Sequence, residues 1–286
     1  MASNKTVRVI VAAIGIPVAA SVIYAGGWVL VALLAVLAVA GALEVYRIGE
    51  RAGLRPLTVV GTVGAALMPA AAYAALPAGG AVPARALAFA AVVWFILTVS
   101  VGTFSRQTAD RPLASVAVTL FGAVYAGAMI AFLVPIRHAP GLPSPLAAAA
   151  LVLLPLATTW ICDSVAMEVG SRVGGPKLAP TLSPKKTWSG AVGGSIGAVV
   201  AAPLYGVLLL ERFGVALPLW QLALFGLLVS VVGQIGDVSE SLFKREVGIK
   251  DSGAFFPGHG GVLDRLDSLY WVIPTSAILL AAFGVV

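Results

Sequence analysis

Charge is what this chain has least of. Asp, Glu, Lys and Arg make up 10% of its 286 residues, while hydrophobic residues make up 60%. A soluble domain carries about 25% charged residues. So little charge excludes a surface wetted on all sides, and the solvent expected around most of the chain is lipid. Cysteine is nearly absent. Cys162 stands alone, which excludes an internal disulfide and a zinc cluster built from thiolates. No polar stretch is long enough for a separate soluble domain, and there is no internal repeat or low-complexity tail. The net charge of +6 is explained by where the basic residues sit, so nucleic acid is not an expected partner.

What is present is a series of apolar runs. A span needs about 20 mostly apolar residues, because a helix rises 1.5 Å per residue across a hydrocarbon core about 30 Å thick. The runs predict helices at roughly 8–25, 28–46, 57–76, 84–104, 113–135, 145–162, 188–210, 219–240 and 268–285. Gly26-Gly27, the Pro77–Pro83 stretch and Pro140-Gly141 punctuate the breaks. The first run follows a short basic start and could pass for a signal peptide. It reads as a retained helix, because no cleavage site followed by a polar mature domain is seen.

The basic residues orient these spans. With the N-terminus inside, all of the 18 Lys and Arg fall in inner segments except Arg85, Arg137 and Arg212. This matches the positive-inside rule. The fold class expected is therefore an all-α polytopic membrane protein of about nine helices, N-terminus inside and C-terminus outside. Residues 1–135 hold about five helices. Residues 136–286 are expected to form a second region, the candidate for any chemistry, with two polar cytoplasmic loops at about 163–187 and 237–267. Gly190 with Gly194 and Gly193 with Gly197 form overlapping GxxxG pairs. Packing within one bundle is the favoured reading, with a homodimer face as the alternative. Pro203 and Pro274 are expected to kink their helices.

Most of the acidic residues collect in the two inner loops. Asp163 and Glu168 follow the sixth span. Asp237, Glu240, Glu246, Asp251, Asp264 and Asp267 lie between the eighth and ninth. Carboxylates mixed with Lys and Arg beside a bilayer suggest bound cations and phosphates rather than anchoring. If the eighth helix runs on past the membrane surface, Asp237, Glu240, Ser241 and Lys244 share one face. Asp264 and Asp267, three apart, would share a face at the start of the ninth. Together with Asp237 they make a plausible Mg²⁺ site, since Mg²⁺ takes a few carboxylates plus substrate phosphates and water. Helix capping is the plainer reading for Asp264 alone. His259 sits in Pro-Gly-His-Gly-Gly, a setting that suits ligand contact.

The other loop carries Ser183-Pro184-Lys185-Lys186-Thr187 just ahead of the seventh helix. Two ammonium groups and two hydroxyls there form a phosphate cradle, with anchoring and a Thr cap as the alternative. Asp163, a carboxylate near hydrocarbon, is expected to have a partner. Trp160 reads as an interface aromatic. Glu44, Tyr46 and Arg47 read as a surface ion pair and anchor.

Ser241-Leu-Phe-Lys244-Arg245, Lys250-Asp251-Ser-Gly253, His259-Gly260-Gly261 and Asp264-Arg265-Leu-Asp267 together resemble the signature of the phosphatidate cytidylyltransferase (CDP-diacylglycerol synthase) family. The Ser183–Thr187 segment is similar to a second motif of that family. The resemblance covers about Asp163 to Ser268. It departs at Met167, where the family has an aromatic residue, at Gly175, where it has a basic one, and at Ser189, where it has glutamate.

The resemblance implies transfer of the cytidylyl group of CTP to phosphatidate, giving CDP-diacylglycerol and pyrophosphate for phospholipid synthesis at the inner (plasma) membrane, on its cytoplasmic face. It implies Mg²⁺ and a second cation such as K⁺. The catalytic group is then Asp237, Asp264, Asp267, Lys244 and His259, with the three aspartates on the metal. Ser183, Lys185, Lys186, Thr187, Ser241, Lys244, Arg245, Lys250 and Arg265 would meet nucleotide and phosphate, with Asp163 and Asp251 as further polar groups. Related enzymes that make CDP-archaeol or phosphorylate a lipid alcohol are alternatives. A secondary transporter is the reading from another class, weakened by the near absence of charge within the spans.

Overall fold

The computed structural model describes the backbone of residues 4–258 and 260–286, and the side chains from Ala13 onward. The helices are α1 (Asn4–Ala25), α2 (Gly27–Arg51), α3 (Thr58–Ala74), α4 (Ala84–Ser105), α5 (Pro112–Arg137), α6 (Pro145–Val173), α7 (Trp188–Phe213), α8 (Leu219–Glu246), α9 (Leu263–Leu266) and α10 (Leu269–Ala282). Among the described residues six helices, α2 and α4 to α8, are long and apolar enough to cross a membrane; α3, α10 and the Ala13–Ala25 part of α1 are shorter apolar helices. The protein is an all-α polytopic membrane protein, with one small departure. Lys177–Ala179 (β1) and Ser183–Thr187 (β2) form an antiparallel hairpin, with Lys177 opposite Thr187 and Ala179 opposite Ser183.

The helix surfaces suit lipid. On α4 only Thr98 and Gly102 are buried, while Phe89, Val93, Phe95 and Ile96 point outward. An exterior of large apolar side chains would be costly in water and is what hydrocarbon selects.

The chain divides into two compact units. The first comprises residues 1–135 and 246–266. Its centre is Tyr46 of α2, which is fully buried and donates its hydroxyl to the Thr119 carbonyl of α5 at 2.8 Å. The α2–α3 linker is tied to α5 as well. Arg55 and Leu57 N–H groups donate to Ser115 Oγ and Thr119 Oγ1 at 2.9 and 2.8 Å, so loop donors are satisfied by buried hydroxyls.

The second unit comprises residues 136–245 and 267–286. Ser144 starts α6 by accepting from the Ala147 N–H, with Pro145 in the first turn, and Gly174 at φ 66° ends it. The helix is eleven residues longer than the sequence reading placed it. Asp163 and Glu168 therefore stand on α6 rather than in a loop after it. Thr187 caps α7 by accepting from the Gly190 N–H at 3.1 Å. Both GxxxG pairs face α6. A Cβ on Gly190 or Gly194 would lie 2.6 Å from the Ala166 carbonyl oxygen or 2.8 Å from that of Cys162, and those on Gly193 and Gly197 would meet Val169 and Val165. The small residues serve contact within this chain. Pro203 lies in α7 just ahead of a π-helical stretch at Gly206–Leu210, a known way to absorb the missing N–H.

The ninth predicted helix is broken at its start. Asp264 lies in the four-residue α9, whereas Asp267 lies in the turn between α9 and α10, its Oδ1 accepting from the N–H of the next residue, Ser268, at 2.6 Å. The expected single helix start is thus divided, with a turn at Asp267 and Ser268 separating α9 from α10.

Candidate active site

The second unit gathers carboxylates from separate elements around one ammonium group. Lys186, on β2, forms an ion pair with Asp237 of α8, and both side chains are about one-quarter exposed. Asp267 and Asp163 lie within electrostatic range of Asp237 and Lys186. Burial first, and then the neighbouring Asp237 carboxylate, push the Asp267 carboxyl up to about 7. Three carboxylates against one lysine leave net negative charge at the end of a helix bundle. Among the described residues, no three Asp, Glu, His or Cys side chains already converge as a metal cluster. The donor chemistry nevertheless fits a hard cation: the groups are carboxylate oxygens, and their mutual repulsion is what such an ion relieves.

The α8 extension behaves as the sequence spacing requires. Asp237, Glu240, Ser241 and Lys244 are all helical. Glu240 and Lys244 pair at 3.0 Å, and both are buried. Lys244, expected to meet phosphate, is thus engaged inside the unit, where an ammonium needs a carboxylate to offset its burial. Arg245 and Lys185 are exposed, and Ser183 and Ser241 are half-buried. Ser189, at the position of a family glutamate, has its hydroxyl within hydrogen-bond range of Thr187 Oγ1 at 3.0 Å and also donates to the Gly174 carbonyl. It tightens the junction of α6, hairpin and α7.

Beside this cluster is an apolar groove of about 790 Å³, lined by Leu178, Leu182, Trp188, Ile196, Val231 and Leu242 among others. Its few polar groups include Gln234, which donates to Ser195 Oγ at 3.1 Å.

The first unit holds the glycine-rich loop. Lys250, Asp251 and Arg265 are exposed on it. His259, expected in the catalytic group, lies outside the described residues. The Phe256 N–H donates to the Gly260 carbonyl at 2.9 Å, closing a turn. Asp264 Oδ2 accepts from the N–H groups of Ser252 and Gly261, at 2.9 and 2.8 Å. Asp264 therefore ties the two ends of the loop together, beyond the capping or metal role expected of it.

Sequence reasoning missed Glu44. It is not part of a surface ion pair: it is 2% exposed, as is neighbouring Tyr46 at 1%, while Arg47 points outward. Its Oε1 accepts from the Val262 N–H at 2.9 Å, and its Oε2 accepts from the Leu263 N–H at 2.9 Å and from Ser252 Oγ at 2.7 Å. The available signal was a carboxylate within an otherwise apolar span, which is by default a functional or paired group.

Two comparisons bear on this arrangement. The model of the cytidylyltransferase family matches residues 6–283. The chain belongs to the cytidylyltransferase family. Among similar proteins, phosphatidate cytidylyltransferase of Brucella abortus is 47% identical over 130 residues, 46% of this chain and 45% of the relative. That of Thermotoga maritima is 33% identical over 188 residues, covering 65% and 67%. That of Synechocystis sp. is 29% identical over 299 aligned positions, 94% of each. The Brucella alignments span about half the length of those relatives. The match to the cytidylyltransferase family model extends across helices that share no motif with the signature, so membership rests on the whole chain.

Proposed function

We propose that this protein transfers the cytidylyl group of CTP to phosphatidate. In this reaction a phosphatidate phosphate oxygen bonds to the α-phosphorus of CTP, the bond from that phosphorus to the bridging oxygen breaks, and pyrophosphate leaves with its electron pair. The observation that carries the reading is the grouping of Asp163, Asp237 and Asp267 around Lys186, within a chain that matches the cytidylyltransferase family from end to end.

The chemistry needs little from a base, because the nucleophile is already an anion. It needs two polyanions brought into line without mutual repulsion. Asp237 and Asp267, with Asp163 beside them, are the residues to hold a divalent cation such as Mg²⁺; the family resemblance gives Asp264 the same task. Such a cation, when bound, neutralises phosphate charge. Lys186 balances the same carboxylates. Exposed Lys185 and Arg245 are placed to take phosphate oxygens, as charge-assisted donors do. The apolar groove suits lipid tails, and the exposed apolar helices suit a substrate that stays in the bilayer. We place the site at the cytoplasmic face of the cell membrane, on the strength of the basic-residue count.

Labelled CTP tests this directly. Purified protein in detergent micelles, given phosphatidate and Mg²⁺, should move label from [α-³²P]CTP into the lipid phase and none from [γ-³²P]CTP. Lipid labelled by the γ-phosphate instead would identify a lipid kinase. Transfer to neither would sink the assignment.

A further inference from the structure

We propose that Glu44 of α2 is a positioning residue that sets the backbone of the glycine-rich loop from Ser252 to Asp264. Its carboxylate is buried and accepts three hydrogen bonds, from Val262 N–H, Leu263 N–H and Ser252 Oγ, at 2.9, 2.9 and 2.7 Å. The first two are the donors that open α9, which would otherwise be left unsatisfied in a buried setting. The third fixes the opposite end of the loop. Asp264 Oδ2 then joins the same two ends through Ser252 and Gly261 N–H. Two carboxylates, one on α2 and one on α9, thus cross-brace the loop from both sides.

The glycines bear this out. A Cβ on Gly253 would sit 2.5 Å from Glu44 Oε1, and one on Gly261 would sit 2.3 Å from Glu44 Oε2. Neither glycine is at a positive φ among the described residues. Their side-chain-free state is required by the approach of the carboxylate, not by backbone conformation. The signature glycines and a residue 208 positions earlier than Ser252 are one device.

The kinetic consequence rests on the proposed cytidylyl transfer. A loop displaced by an ångström loses alignment, and such misplacement costs on the order of 100-fold in rate. Glu44→Ala should lower kcat about 100-fold with the KM for CTP changed by less than about three-fold, because the loop aligns groups rather than supplying the binding charge. Glu44→Gln keeps one acceptor oxygen but turns an amide donor toward donors, and should fall between Ala and wild type. Ser252→Ala removes only one bond and should be the mildest. Gly261→Ala should reproduce the Glu44→Ala defect by evicting the carboxylate.

Amide hydrogen exchange on the full-length protein supplies a readout independent of turnover. In Glu44→Gln, peptides covering 252–264 should exchange at least ten-fold faster while peptides of α3 and α5 keep wild-type protection. That result would stand even if CTP proved not to be the substrate. Unchanged exchange across 252–264 would overturn the brace, as would a loss of protection spread evenly over α2, α3 and α5, which marks a core residue and no more. Wild-type kcat in an active Glu44→Ala enzyme would overturn the positioning role.

Discussion

At the scale of single residues, the two lysines of the Ser183–Thr187 segment separate cleanly. Lys186 is paired with Asp237, whereas Lys185 is exposed on the same strand. Lys185→Ala should raise the KM for CTP about ten-fold or more, the loss of one charge-assisted contact at about 1.5–3 kcal/mol, and leave the Mg²⁺ requirement alone. Lys186→Ala leaves the three carboxylates unbalanced. It should instead shift the Mg²⁺ titration to lower concentration and lower kcat, as measured by initial rates across a Mg²⁺ series. Identical profiles for the two variants would return both to membrane anchoring. Asp237→Asn keeps the shape and removes the charge. It should cost at least about 100-fold in turnover, since electrostatic stabilisation is usually the largest catalytic term.

At the scale of elements, the junction of hairpin and α7 hangs on Thr187. It is 5% exposed and supplies the cap to Gly190 N–H. Thr187→Ala should lower stability by about 1 kcal/mol, seen as a lower detergent-phase Tm, while Thr187→Ser should restore most of it. Gly194→Val should be far worse, because the added Cβ meets the Cys162 carbonyl of α6 and backbone cannot move aside as a side chain does. The apolar runs made the helices legible, since length and hydropathy alone decide what spans a bilayer. They hid where helices stop. Asp163 and Glu168 looked like loop residues because polarity rises there, yet α6 continues as one helix to Val173. The hairpin was hidden too, because Lys177–Thr187 is too short and too polar to show strand alternation. The carboxylates were legible as a set, being rare in this sequence. Their partners were not. Lys244 pairs with Glu240 and Glu44 with three loop donors, and such pairings are set by tertiary packing.

At the scale of the whole molecule, orientation is the property to measure. The basic-residue count predicts the hairpin inside and the α3–α4 connection outside. After Cys162→Ala removes the native thiol, cysteines at exposed Thr181 and Ala78 report opposite sides. In sealed cells an impermeant maleimide should label Ala78→Cys at once, and Thr181→Cys only after permeabilisation. Labelling of Thr181→Cys from outside would reverse the arrangement. Ser252 is unsuited to such a probe, because its hydroxyl is buried against Glu44.

The brace between α2 and the glycine-rich loop also has a consequence in time. A ribosome delivers Glu44 to the membrane long before it makes Val262 and Leu263, which lie 218 and 219 positions later. Until those donors arrive, the carboxylate must stay hydrated or borrow other donors, because an unpartnered charge is expensive near hydrocarbon. The first unit therefore cannot reach its final packing until Val262 and Leu263 have been made. Its five early helices wait for a segment made more than two hundred positions after Glu44, and the loop and the helix that braces it take their final shape together.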